Sequence, residues 1–354
     1  MIKARIRKPF RRDEPAAGLD VEFQAGPGVS VLFGPGGAGK TLILEAIAGF
    51  VRPDDGRILL DDRILFDSAA RVHLPPRTRR CGYVFPGYAL FPHMTVRQNL
   101  AFAVKHRPRL ERHRRVNETL ERFRLAECGG RRPAELSGSE RQRCAVARAL
   151  IGAPRVLLLD DPARGLEPPL RAELCTLLRQ VRADHDIPVL LATQRLEECF
   201  ELAGTVLVLQ EGRILHSGAP RTLTERPASI EAARLLGIFN LLPVEIAELD
   251  PQRNTSRLRW GEHALAGPYF PGKLRGDRVW LCVRPDQLCA LPRLSRPGPN
   301  QVPLPMVRAV ETPQAVRLEF AGDVAVEMAR AEFERQKDNK EWLVEFPPQA
   351  LKVL

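Results

Sequence analysis

Val29-Ser30-Val31-Leu32-Phe33 runs directly into Gly34-Pro35-Gly36-Gly37-Ala38-Gly39-Lys40-Thr41, and Thr41–Phe50 (TLILEAIAGF) continues with a helical apolar pattern. A strand, a glycine-rich turn and a helix in that order turn G-x-x-x-x-G-K-[ST] from a string of letters into a phosphate cradle. Glycines let backbone N–H groups converge on phosphate oxygens, and the helix N-terminus adds a favourable partial charge. Lys40 is placed to reach the β- and γ-phosphates, and the Thr41 hydroxyl to ligate Mg²⁺. The stretch Gly34–Thr41 therefore predicts binding of ATP or GTP.

The same reading extends outward. Val156-Leu157-Leu158-Leu159-Asp160-Asp161-Pro162 is a continuous apolar run ending in two carboxylates, the pattern of a strand buried in a parallel sheet. Beside a phosphate loop, Asp160 is a candidate to hold Mg²⁺, and Asp161 to orient or deprotonate an attacking water. Val189–Ala192 repeats the apolar run after a helical stretch at about Leu170–Asp184, and Val206–Leu209 leads into a turn. Further short strands are expected in Leu19–Gln24, Arg57–Leu60 and Cys81–Phe85. Helices are expected over Glu111–Ala126 and after Leu136-Ser137-Gly138. Strands alternating with helices predict an α/β core with a mainly parallel sheet.

The chain has 354 residues, room for about two or three domains. Its formal charge of +11 invites a nucleic-acid reading. However, the Arg-dense stretch Arg107–Arg124 is interleaved with Glu, and neither zinc-finger spacing nor an RNP-type aromatic motif accompanies it. No nucleic-acid partner is expected. Seven cysteines stand singly with no C-x-x-C pair, as in a reduced cytosolic protein. No stretch approaches the ~18 apolar residues of a membrane span. The basic start MIKARIRKPFRRDEP lacks the apolar core of a secretory signal. The expected location is the cytoplasm, with membrane contact through partners.

Glu135-Leu136-Ser137-Gly138-Ser139-Glu140-Arg141-Gln142-Arg143 runs into the amphipathic Cys144–Leu150. Ser137 followed three residues later by Glu140 reads as a helix cap in its own right. The whole stretch also resembles the signature motif of ABC ATPases, L-S-G-x-E-R-Q-R. Tyr83–Leu100 (YVFPGYALFPHMTVRQNL) resembles that family's Q-loop region in the form carried by importer ATPases. The resemblance implies a P-loop NTPase fold with a helical subdomain, binding ATP and Mg²⁺. It implies a head-to-tail dimer, homo- or heteromeric, in which Ser137, Gly138, Ser139 and Glu140 cap the γ-phosphate held by the opposite subunit. It also implies that Phe10, upstream of the cradle, stacks on adenine, although Phe10 reads equally well as a core residue.

Where this chain departs from the family pattern, it does so at catalytic positions. Pro86 replaces the Q-loop glutamine, Asp161 the catalytic glutamate, and Gln194 the switch histidine. Ser139 replaces the second signature glycine, Glu167 the usual D-loop aspartate, and Leu42 a common second hydroxyl. Asp161 is one methylene short, and the Gln194 amide can hydrogen-bond a γ-phosphate but cannot carry a proton as histidine does. Tight nucleotide binding with slow hydrolysis is the expectation; the alternative is that the water-positioning groups are rearranged and hydrolysis is normal.

After about Gly237 the texture changes to short alternating runs (VEIAEL, SRLRW, VWLCVRP, AVRLEF, VAVEMA, WLVEF), with a Pro/Gly-rich connector at Pro292–Pro305. These predict a small β-barrel, OB-like domain. The expected division is a nucleotide-binding domain at 1–236 and a β domain at 237–354. The latter is similar to the TOBE/Mop-like regulatory domains of molybdate and sulfate importer ATPases, with Val283-Arg284-Pro285-Asp286 resembling their V-R-P-E turn and Arg284 a possible anion donor. The resemblance implies transmembrane permease subunits as partners, an extracytoplasmic substrate-binding protein acting indirectly, and a peripheral place on the cytoplasmic membrane face. Tyr88, Leu90, Phe91 and Met94 offer an apolar surface for such a permease, or else pack as an ordinary loop. Molybdate is the favoured cargo, then sulfate or thiosulfate, then iron(III) or polyamine. The alternative is an ATP-binding regulator that drives no transport.

Overall fold

The computed structural model describes residues 1–11, 14–292, 297–312, 315–339 and 341–354; part of the connector expected at Pro292–Pro305 lies outside them. The chain divides into two compact units, Met1–Leu223 and Thr224–Leu354.

In the first unit a six-stranded sheet runs in the order Arg213–Gly218, Thr205–Gln210, Gly28–Phe33, Pro188–Thr193, Val156–Asp160, Cys81–Val84. Its neighbours pair in parallel except at the Arg213–Gly218 edge. Every residue of Val156–Asp160 and Pro188–Thr193 is buried, because helices cover both faces of such a sheet and select unbroken apolar runs.

A second sheet, antiparallel throughout, follows the order Glu14–Ala25, Ile2–Arg11, Asp55–Leu60, Arg63–Asp67, Val72–His73. No strand was expected at Ile2–Arg11, where Arg and Lys dominate the composition. The alternation is nevertheless strict: Ile2, Ala4 and Ile6 are buried while Lys3 and Arg5 face solvent. Helix Lys40–Ala48 inserts Ile43, Leu44 and Ile47 into one apolar core shared with both sheets.

That helix stops at Gly49, whose φ is 87°. A Cβ there would stand 2.5 Å from Arg79 Nε. Arg79, 1% exposed, donates from Nη1 to the carbonyls of Ala46 (2.7 Å) and Ile47 (2.9 Å), and from Nε to that of Leu74 (2.8 Å). A cation on last-turn carbonyls complements the helix dipole and holds the helix that begins at the phosphate loop. Arg79→Met should leave these buried acceptors unpaired and cost about 3 kcal/mol. A thermal melt should then fall by roughly 6–12 °C; an unshifted melt would show that the carbonyls find other donors.

The helices between strands Cys81–Val84 and Val156–Asp160 are Val96–Ala103, Arg109–Arg122 and Gly138–Leu150. Val96–Ala103, not anticipated, is started by a capping box of Thr95 and Gln98. The helix expected over Glu111–Ala126 ends at Arg122, because Arg124 turns left-handed at φ 53° and Leu125 N–H bonds back to Leu120 O at 2.7 Å.

The second unit includes the short helix Ile230–Leu236, closed by Gly237 at φ 67°. Arg234 of that helix lies 5.0 Å over the Trp280 ring, so the compact unit begins ahead of the change in sequence texture. Eleven strands follow among the described residues. Five form an antiparallel sheet in the order His263–Pro268, Thr255–Trp260, Asn240–Asp250, Arg278–Val283, Lys352–Val353. Two three-stranded sheets, centred on Trp342–Glu345 and Val316–Phe320, complete the unit. All three contribute to one core that includes Leu242, Leu281, Leu318 and Trp342. Asn240 ties two sheets together, giving Nδ2–H to Ala325 O (2.8 Å) and accepting Ala325 N–H (2.7 Å). Arg284 is held by the Asp286 carboxylate, with Nε to Oδ1 at 2.8 Å. Among the described residues no helix is long and apolar enough to cross a membrane.

Candidate functional site

Three adjacent strands of the parallel sheet end side by side. In register, Phe33 lies beside Thr193, and Ala192 beside Asp160. The chain leaving each strand tip supplies one part of the site: Gly34–Thr41 from the first, Gln194 from the second, Asp160 and Asp161 from the third. Parallel strands bring their C-terminal ends together, where ligands of open α/β sheets bind.

Lys40, 7% exposed, donates from Nζ to Gly34 O (2.7 Å) and Pro35 O (2.8 Å) across the glycine loop. The Thr41 hydroxyl donates to Asp160 Oδ1 at 2.9 Å, joining residues 119 apart in sequence. Asp161 adopts φ 46°, a left-handed conformation that Asp tolerates better than most residues, and its N–H reaches Ala192 O at 2.9 Å. Gln194 Oε1 is 4.0 Å from the point a Cβ on Gly36 would occupy, so its amide faces the loop. Phe10 lies against the end of the loop, 3.6 Å from the corresponding point at Gly39, and is 40% exposed.

Burial lowers the Lys40 pKa, and Asp161 and Asp160 pull it back up. Burial also pushes both carboxyls up. Bonds from Thr41 and Tyr83, then Lys40, oppose this at Asp160; Lys40 and Arg164 oppose it at Asp161. A lysine, exposed loop amides, a hydroxyl and two carboxylates thus meet at the strand tips. The cation and amides suit a polyphosphate, and the oxygen donors suit a hard divalent ion.

Ser137–Glu140 stands apart from this group. Ser137 Oγ accepts Glu140 N–H (3.2 Å) and Glu140 Oε2 accepts Ser137 N–H (2.7 Å), a closed capping box at the start of helix Gly138–Leu150. The Ser139 hydroxyl lies 3.4 Å from Ser137 Oγ. Among the described hydrogen bonds and ion pairs, none joins these residues to the phosphate loop.

Near Tyr88–Met94 the structure forms a groove of ≈ 570 Å³ lined by Tyr83, Phe85, Ala89, Phe91, Phe102 and Arg148, among others. Of the four apolar residues expected there, Phe91 lines it, whereas the Tyr88 hydroxyl is buried.

Two site residues escaped the sequence reading. Tyr83 donates its hydroxyl to Asp160 Oδ2 at 3.3 Å. Glu198, 5% exposed, follows Gln194 on helix Leu196–Leu202 and reads in sequence as an ordinary acid of a helix first turn. Burial raises its pKa, the Thr193 hydroxyl opposes the rise, Asp161 adds to it, and Arg195 and Arg171 lower it. A carboxyl raised in the fold costs stability as pH climbs from its ordinary value near 4.5 through its folded value, because the unfolded chain ionises first. Glu198→Gln should therefore raise the melting temperature more at pH 8 than at pH 5. An equal shift at both pH values would count against a buried, raised carboxyl.

A glycine phosphate loop, an acidic strand tip and a parallel sheet with inserted helices define a P-loop nucleotide-binding domain. The ABC transporter family model matches residues 17–164. The molybdenum import ATP-binding protein ModC of Paramagnetospirillum magneticum is 41% identical over 218 residues, 62% of this chain and 60% of that protein. The molybdate/tungstate import ATP-binding protein WtpC of Archaeoglobus fulgidus is 42% identical over 63% of this chain and 90% of its own length. The spermidine/putrescine import ATP-binding protein PotA of Oleidesulfovibrio alaskensis is 37% identical over 76% and 71%. Among solved structures, the dimeric ATP-binding cassette MJ0796, in a post-hydrolysis state with ADP and Pi, aligns with a TM-score of 0.52 at 24% identity, over 62% of this chain and 99% of that one. The protein belongs to the ATP-binding proteins of the ABC transporter family. It spans about 60% of the length of the ModC relatives.

Proposed function

We propose that this protein is the energy-coupling ATPase subunit of an ABC importer, with molybdate the favoured cargo and sulfate or thiosulfate next. The observation that carries the ATP-handling part is the meeting of Lys40, Thr41, Asp160 and Asp161 at adjoining strand tips. The cargo reading rests on the relatives named for molybdate. In this reading Gly34, Pro35, Gly36, Gly37, Ala38, Gly39, Lys40 and Thr41 cradle ATP phosphates, and Phe10 meets the adenine. Thr41 and Asp160 hold Mg²⁺, which offsets phosphate charge. Asp161 orients the attacking water and takes up its proton, while Gln194 hydrogen-bonds the γ-phosphate. Ser137, Gly138, Ser139 and Glu140 close the site of a second subunit, making a homo- or heterodimer. Residues 1–236 act as the nucleotide-binding domain and 237–354 as a TOBE/Mop-like regulatory domain. The permease seats in the groove at Phe85, Phe91 and Phe102. An extracytoplasmic binding protein delivers cargo, no nucleic acid takes part, and the protein works peripherally on the cytoplasmic membrane face.

Steady-state ATPase of the purified chain, alone and with the permease pair that co-purifies with it, tests this reading. Turnover that rises with the permease and with molybdate-loaded binding protein is the expected result. ATP binding without turnover in either setting would favour a second reading, an ATP-dependent regulator that drives no transport. Pro86, Asp161 and Gln194 motivate that alternative.

A further inference from the structure

Tyr83 lies on strand Cys81–Val84, paired in register with Leu158 of the strand that ends at Asp160. The two Asp160 oxygens are divided between neutral donors, Oδ1 taking the Thr41 hydroxyl (2.9 Å) and Oδ2 the Tyr83 hydroxyl (3.3 Å). The other side of the Tyr83 ring belongs to a different environment. Its centroid is 4.3 Å from that of Phe85 and 5.4 Å from that of the half-exposed Phe50, and Tyr83 and Phe85 both line the groove beside the phosphate site.

The segment that follows has little freedom. Gly87, Tyr88 and Ala89 are left-handed in succession, at φ 66°, 70° and 46°. Left-handed non-glycine residues persist only where their surroundings impose them. Here Arg148, from helix Gly138–Leu150, donates to the carbonyls of Tyr88 (3.0 Å) and Ala89 (2.9 Å). Pro86, between Phe85 and this pinned turn, has no side-chain donor or acceptor to send toward the phosphates.

We propose that the Tyr83 hydroxyl is a positioning residue for Asp160 and couples the aromatic groove to the metal-binding carboxylate, a link that proline at position 86 cannot supply. A permease segment seated on Phe85 would shift the adjoining Tyr83 ring, whose plane is tilted 38° from that of Phe85, and that ring carries the hydroxyl that orients Asp160. The inference rests on the reading of Thr41 and Asp160 as the Mg²⁺ residues.

The test is calorimetric titration of ATP into the full chain, in Mg²⁺ and in EDTA, for the wild type, Tyr83→Phe, Phe85→Leu and the double variant. The wild type should bind ATP more tightly with Mg²⁺. Tyr83→Phe keeps the ring and should lose about 3–10-fold of affinity in Mg²⁺ and none in EDTA, the scale of one hydrogen bond of ordinary net strength, as suits a 3.3 Å contact. Phe85→Leu should lose less, and the double variant no more than Tyr83→Phe, because both act through one path. Wild-type Mg²⁺ dependence in Tyr83→Phe would overturn the proposal, as would fully additive losses in the double variant. If Phe85→Leu does not fold, Tyr83→Phe alone decides. A wild-type curve that gains nothing from Mg²⁺ overturns the reading of Thr41 and Asp160, and the inference with it, and is recognised from that curve alone.

Discussion

Lys40→Ala should lower ATP affinity by about 10²–10³-fold, on the order of 3–4 kcal/mol. In the structure Nζ is held by two carbonyls of its own loop, Gly34 O and Pro35 O, so the ammonium stands ready inside the cradle. A phosphate would exchange these neutral acceptors for charged ones, adding ion-pair attraction to hydrogen bonds that the ammonium already makes. Burial disfavours the free ammonium, but alanine also takes the donor from Gly34 O and Pro35 O, so a modest fall in the melt should accompany the loss of binding. Fluorescence titration with a nucleotide analogue, beside a thermal melt, separates the two effects. Loss of binding in a chain that still melts cooperatively is the expected pair. Undiminished binding would remove Gly34–Thr41 from the nucleotide site.

The second large effect is a gain. Asp161→Glu combined with Gln194→His should raise ATP turnover by roughly 10–10²-fold, within the range a well-placed general base contributes. Asp161 is anchored through its backbone to Ala192, and its side chain is one methylene shorter than glutamate. Gln194 already faces Gly36, so a histidine there needs no rebuilding of the chain. The two changes act on one water and one phosphate, and their effects should not simply add. Single-turnover rates at saturating ATP are the measurement. If the double variant is no faster, the native carboxylate and amide are competent as they stand, and the slow-hydrolysis account is wrong.

The glycine loop was legible because its conformation is written locally: a strand, residues tolerant of positive φ, then a helix. Asp160 and Asp161 were legible for a similar reason, as the end of an unbroken apolar run. The Ser137–Glu140 capping box closes within four residues, and the structure forms it with both bonds. The strand at Ile2–Arg11 was hidden because its outward Arg and Lys outweigh three small or aliphatic inward residues in any compositional view.

What the sequence determined by itself, then, is which segments turn, which bury, and which residues are the candidates for phosphate and metal chemistry, since each follows from dihedral preference or from a period of a few residues. The tertiary structure alone decided that strand Gly28–Phe33 lies next to Pro188–Thr193 and that strand next to Val156–Asp160. That order brings Thr41 to Asp160, Gln194 to Gly36 and Tyr83 to the remaining Asp160 oxygen. It also places Arg79 under the helix that begins at Lys40. The physical reason is that strand order in a parallel sheet is set by the packing of crossover helices, a sum over many distant contacts that no local pattern encodes.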